Sequence, residues 1–133
     1  MNAALHPAAV LYREARPFPA LPACEHYAGS EKLIGKGLAL QQTLGPVFDL
    51  TCDCEDGAPA GAEAAHAEMV AAAIASAANK FGRVGARIHD ITHPHWRSDL
   101  EIIVGAAGAR LAYVTLPKVA GRQDAQTMLM ALA

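Results

Sequence analysis

The sequence is poor in aromatic side chains, in cysteine and in charge. Aromatics are 5% of its 133 residues and charged residues 18%, against a charged share of about 25% in soluble domains. Disorder needs the reverse balance, and the 53% hydrophobic content excludes it as the main state. Three cysteines, two of them (Cys52 and Cys54) one residue apart, make no disulfide framework. Basic residues are not in excess: 11 Lys and Arg face 13 Asp and Glu, for a net charge of −2. The electrostatic footprint of nucleic-acid binding is therefore missing. Apolar stretches are broken by Gly, Lys or His well before the roughly 18 residues that suggest a membrane span. Residues 1–13 also lack the basic-then-apolar order of a signal peptide. These absences lead to the expectation of a cytoplasmic chain without nucleic-acid or membrane partners. They suit one domain over residues 1–133, with residues 1–17 as an irregular leader.

What is present is an alternation of short apolar segments with helical patterns. Residues 18–22 are apolar and bounded by proline, a weak strand candidate. Ser30 can cap a helix carrying Leu33, Ile34, Leu38 and Leu40, which ends near Gly45. Val47 to Cys52 reads as a strand running into Asp53, Glu55 and Asp56. An alanine-rich helix is predicted from Glu63 to Asn79, with Gly82 placed to close it as a left-handed cap. Val84 to Ile88 is the next strand. Trp96, Leu100, Ile103, Val104 and Ala107 then give the cleanest helical face in the chain. Arg110 to Leu116 is a further strand, stopped by Pro117 and Lys118. Ala125, Met128, Leu129 and Leu132 mark a fourth helix. The spacing between strand starts is that of a βα unit, so the expected architecture is a parallel sheet. Four units are half of the eight in a (β/α)8 barrel of about 250 residues, which predicts a half-barrel, truncated.

Polar residues gather at the strand ends, where such folds place their chemistry. Asp53, Glu55 and Asp56 repel one another unless a cation or donor answers them. Such a cluster can serve magnesium directly or through water; it can equally be a solvated loop capping the next helix. Arg87 sits inside an apolar strand, where an unpaired guanidinium is costly to bury. Its partner is an anionic substrate oxygen or Asp53 or Glu55 on the neighbouring strand, and both can hold at once, since an acid can position a site arginine. Lys118 can meet a carboxylate or phosphate, or remain a solvated lysine. His89, Asp90, His93 and His95 form a loop that could ligate zinc or iron, but the spacing matches no established ligand helix. Cys52 and Cys54 lack a second pair for zinc. Gly35 and Gly37 flanking Lys36 form neither a P-loop nor a dinucleotide fingerprint.

Asp53-Cys54-Glu55-Asp56-Gly57-Ala58, Arg87-Ile88-His89 and Leu116-Pro117-Lys118-Val119, in this order and spacing, resemble three successive strand-end motifs of the citrate lyase beta-subunit-like (HpcH/HpaI aldolase) superfamily. The resemblance runs from about Leu21 to the last residue and is closest to the acyl-CoA lyase branch that includes malyl-CoA lyase. It implies a magnesium-dependent (β/α)8 barrel, a homo-oligomer, that makes or breaks carbon–carbon bonds in a hydroxyacyl-CoA or related hydroxy acid. By the same resemblance Arg87 binds substrate oxygens and stabilises the developing enolate. Glu55 and Asp56 hold waters on magnesium, the ion acts as a Lewis acid, and Lys118 and Lys36 contact substrate, Lys36 at the coenzyme A phosphates. The chain departs from the family at residues 22–26, which lack the usual proline-glycine-arginine character. The family's direct magnesium ligands, a glutamate and an aspartate on the fifth and sixth strands, are absent from this chain. The isolated chain is accordingly expected to be inactive alone. The competing expectation is a non-catalytic half-barrel that self-associates or binds a full-length relative.

Overall fold

The computed structural model describes residue 22 and residues 24–132. Strand β1 (Glu25–Ala28) leads to helix α1 (Glu31–Leu44), β2 (Asp49–Asp53) to α2 (Glu63–Ala75), and β3 (Val84–Arg87) to α3 (Trp96–Ala107). A 3-10 turn (Gly108–Arg110) then precedes β4 (Val114–Thr115) and α4 (Arg122–Met130). All neighbouring strands pair in parallel, in the order β1-β2-β3-β4. Sequential order means that each connection steps the same way along the sheet, as in a barrel; a doubly wound sheet reverses at a switch point. The expected four βα units are present. Among the described residues, no helix is long and apolar enough to cross a membrane.

The helices begin and end for local reasons. Ser30 caps α1 through its Oγ, which accepts from the Leu33 N–H at 3.3 Å. Gly45, at φ 80°, closes it by donating to the Gln41 carbonyl, a conformation that favours glycine. Helix α3 covers the segment that its periodicity predicts. Helix α2 stops at Ala75, four residues short of the predicted end, because the buried Asn79 donates to the Ile74 carbonyl at 3.0 Å and turns the chain away. Gly82 does take a left-handed conformation, φ 61°, but in the turn before β3 rather than at the helix end.

Two strands also differ from expectation. The first lies at Glu25–Ala28, with Pro22 outside it; residues 18–21, like the leader, fall outside the described residues. The fourth is confined to Val114 and Thr115, since Arg110 belongs to the 3-10 turn and donates to the Asn79 carbonyl.

The sheet has two unlike faces because strand side chains alternate. Leu50 and Cys52 on β2 and Val84 and Ala86 on β3 pack beneath the helices with Ile34, Leu38, Val70, Ile74, Leu100 and Ile103, all buried. The opposite face is polar. Thr51 hydrogen-bonds the Tyr113 hydroxyl at 2.7 Å and donates to Glu25. Gly85 makes this crossing possible, since a Cβ there would lie 2.3 Å from the Tyr113 ring. A side-chain-filled inner face is what the interior of a (β/α)8 barrel requires.

Candidate active site at the strand ends

Register brings the candidate residues together. Asp53 ends β2 and pairs with Arg87, which ends β3; Arg87 pairs in turn with Thr115 of β4. Both side chains therefore point to the polar face at the carboxyl end of the sheet. Arg87 Nε donates to Asp53 Oδ1 at 2.8 Å and Nη2 donates to Asp53 Oδ2 at 2.7 Å. This is the two-pronged geometry that suits a planar guanidinium. Nη2 also donates to Asp56 Oδ2 at 2.6 Å, and Nη1 pairs with Glu55 Oε2 at 2.8 Å. The second Glu55 oxygen meets Lys118 Nζ at 2.7 Å. Tyr27 lies against the guanidinium, its ring centroid 5.0 Å from Arg87 Cζ.

Strict alternation would send Asp53 and Glu55 to one side and Asp56 to the other. The structure gathers all three on Arg87 because the strand bends at Cys54. Asp53 Oδ1 accepts from the backbone N–H of Glu55 and of Asp56, folding the turn around its own carboxylate. The buried His66 donates from Nε2 to the Asp53 carbonyl at 2.9 Å, fixing the strand end from the helix side. Gly57 completes the turn: a Cβ there would sit 2.2 Å from the Asp53 carbonyl oxygen and 2.5 Å from Gly29 Cα.

The three acids are not equivalent. The side chains of Asp53 and Glu55 are 9% and 5% exposed, that of Asp56 70%. Burial pushes the Asp53 carboxyl up, but the hydrogen bonds and charge of Arg87, with the two turn N–H groups, outweigh it and hold the group below the usual carboxylate range. Arg87 is held above its ordinary value, chiefly by its hydrogen bonds to Asp53, against the opposing effect of burial. The Lys118 ammonium is likewise raised, chiefly by Glu55, and its backbone takes φ 49°, the one left-handed non-glycine among the described residues. The site is thus a layer of alternating fixed charges open on the side of Asp56 and Lys118.

Other candidates lie apart from this layer. Lys36 is exposed on α1, with no hydrogen bond or ion pair to the cluster. His89 directs its Nδ1 to the buried Asp99 at 2.6 Å and stacks on His93 at 3.9 Å between centroids. These rings lie face to face instead of converging on an ion. Cys52 and Cys54 are buried, and burial pushes the Cys52 thiol up to about 12 and that of Cys54 higher still. Neither supplies the thiolate that zinc needs at neutral pH. Among the described residues no group of three His, Cys, Asp or Glu side chains could hold a metal ion.

Tyr27, Thr51, Tyr113, His66 and Asp99 support or flank the site and were not foreseen. The period-two relation of Thr51 to Asp53 and of Gly85 to Arg87 is the signal that could have revealed the shared inner face.

No protein-family model matches the chain, and no curated protein matches it. Among solved structures it is similar to a citrate lyase from Burkholderia xenovorans LB400, with 58% sequence identity and a TM-score of 0.81. The likeness covers 85% of this chain and 35% of that one, so the chain spans about a third of its neighbour's length. Likeness in both sequence and fold supports a citrate-lyase-like relationship, with the four units here corresponding to part of a TIM-type barrel.

Proposed function

We propose that this chain carries part of the active site of a magnesium-dependent carbon–carbon lyase. The reaction is an aldol- or Claisen-type cleavage or condensation of a hydroxyacyl-CoA or related hydroxy acid, and the acyl-CoA lyase branch that includes malyl-CoA lyase is the preferred assignment. One observation carries the reading: in a chain 58% identical to a citrate lyase, an arginine is clamped by carboxylates at the carboxyl ends of adjacent parallel strands. Cleavage leaves the bonding electron pair on the carbon beside a thioester or carboxyl group, as an enolate. A cation already fixed in place stabilises that charge without reorganising as it develops.

Arg87 suits this task because Asp53 holds it from below and Tyr27 lies against it. Lys118 is a second cation, tied to the same layer through Glu55 and otherwise exposed. Lys36 remains a proposed contact for coenzyme A phosphates from the outer surface of α1. For magnesium the described residues fit a supporting role alone. Asp56 is exposed and has an oxygen that Arg87 does not use, able to accept from a metal-bound water, whereas Glu55 has both oxygens on cations. Magnesium itself, held by ligands outside this chain, would supply Lewis acidity toward the keto or hydroxyl oxygen. A homo-oligomer in the cytoplasm is the setting that accompanies this reading.

The test begins with the reading frame through and beyond codon 133. The expected result is a frame continuing into further βα units with a strand-end Glu and Asp. The longer chain should release a keto acid from a hydroxyacyl-CoA panel in the presence of magnesium, and Arg87→Ala should reduce kcat by about a hundredfold or more. Turnover by the 133-residue chain alone, as a monomer, would overturn the shared-site reading. A longer chain that cleaves none of the panel would overturn the lyase reading.

A further inference from the structure

The hydrogen-bond inventory of Arg87 is full on two of its three nitrogens. A guanidinium has five N–H groups; Nε has one on Asp53, Nη2 has one each on Asp53 and Asp56, and Nη1 faces Glu55 Oε2 in an ion pair without a hydrogen bond. Nε and Nη2 thus have no N–H left, and the paired contact by which arginine grips a carboxylate, which needs one N–H from each of two nitrogens, is closed while Asp56 stays on Nη2. The enolate-stabilising role proposed above, on which this inference rests, needs more of the cation than the free chain offers.

We propose that Asp56 occupies, in the free chain, the place on Arg87 Nη2 that a ligand carboxylate takes, and so acts as an internal competitor for small carboxylic acids. Its three neighbours in the cluster are committed elsewhere. Asp53 is nearly buried, holds Arg87 with both oxygens and organises the turn through Oδ1. Glu55 bridges Arg87 and Lys118 with one oxygen on each. Lys118 uses one contact on Glu55 and is 66% exposed, so its remaining N–H groups face solvent beside the same opening. Asp56 alone combines a single contact to Arg87, through Oδ2, with a side chain 70% in water. An exposed ion pair of this kind contributes little in water, and exchanging it for a ligand carboxylate costs correspondingly little.

The backbone restricts how the exchange occurs. Gly57 packs against the Asp53 carbonyl and Gly29 with no space for a Cβ, so the turn stays in place and Asp56 leaves Nη2 by rotating its side chain. Nη2 then presents a free N–H beside those of Nη1, with the Lys118 ammonium paired to the Glu55 carboxylate that faces Nη1. That arrangement fits a small dicarboxylate or keto acid, with one carboxylate on Arg87 and a second oxygen function toward Lys118.

The experiment is an NMR titration of the 133-residue chain with sodium malonate at constant ionic strength, sodium chloride serving as the control. It follows the Arg87 Nε–Hε signal in the native chain, in Asp56→Asn and in Asp56→Ala. Both substitutions are at an exposed position, and the same spectra report whether the fold is kept. Malonate, and not chloride, should move the Arg87 signal in the native chain, with an apparent Kd about three- to tenfold lower in both variants. If malonate moves the signal with equal or weaker affinity in the variants, Asp56 is no competitor, and the anion-binding reading of Arg87 stands without it. If malonate leaves the signal unmoved in all three chains, the carboxylate-binding reading falls, and this inference with it.

Discussion

Asp53 is the residue on which the rest of the cluster depends. It accepts two hydrogen bonds from Arg87, shapes the acidic turn by accepting from two backbone N–H groups, and receives His66 on its carbonyl. Removing the Asp53 charge takes from Arg87 its one two-pronged partner, and because Glu55 and Asp56 stay on the guanidinium the cost falls below the roughly 3 kcal/mol of a fully orphaned buried charge. Asp53→Asn is therefore expected to lower the urea midpoint at pH 7 far more than Asp56→Asn, whose pair lies in water. Acid gives a second reading of the same group. Its carboxyl is held below the ordinary carboxylate range in the folded chain, so its contribution is fully present above the unfolded value near pH 4 and is lost as pH falls through the lower folded one. Urea titrations between neutral and acid pH should show the native chain losing this increment below about pH 4, and Asp53→Asn lacking it; parallel curves would refute the assignment. Part of this was legible in the sequence, because an arginine in an apolar strand demands a partner and the adjacent strand end supplied acids. What alternation hid is that the turn folds around Asp53 itself, so that Asp56 reaches the same guanidinium as Glu55.

At the scale of elements, legibility followed burial. Helix α3 shows one apolar face because Trp96, Leu100, Ile103 and Ala107 are all buried against its neighbours, and its span was readable from period alone. Strand β1 has three exposed residues of four, and β4 retains two residues; edge strands with one neighbour carry no strong apolar pattern. Helix α2 is apolar nearly all round, so nothing in its period marked the end that Asn79 imposes. Helix α1 allows a test that separates propensity from packing. Gly35 and Gly37 lie two residues apart in the same helix, yet a Cβ at Gly35 meets nothing within 4 Å, while one at Gly37 meets Leu50 Cδ1 at 2.7 Å. Gly35→Ala should stabilise the chain by about 0.5–1 kcal/mol through helix propensity. Gly37→Ala should lose that gain or reverse it, because Leu50 is fully buried beneath the helix and has little room to shift. Equal urea midpoints for the two variants would mean that α1 does not pack on β2 as described.

For the molecule as a whole, what matters is where apolar surface remains uncovered. Among the described residues the large exposed apolar side chains are Tyr27, Leu33, Leu40, Leu44 and Val47 at one end of the sheet. At the other end are Val119, Leu129, Met130 and Leu132. None is on α2 or α3, which pack against each other and over the middle of the sheet. The pattern follows from the topology: among the described residues each interior βα unit has a neighbour on both sides, and the first and fourth units have one. Among the described residues β1 and β4 each pair with one strand, and an outer strand edge can template further pairing. Contiguous apolar surface beside an open edge drives association, so the 133-residue chain should show a weight-average mass that rises with concentration in sedimentation velocity. Leu40→Lys combined with Met130→Lys, one charge at each end and both at exposed helix positions, should suppress that rise. A native chain whose mass stays that of one copy at every concentration would show that both ends are satisfied within the chain. A double variant that associates as the native chain does would place the contact elsewhere, on the polar inner face, where Thr51, Tyr113 and Glu25 already form a hydrogen-bonded layer.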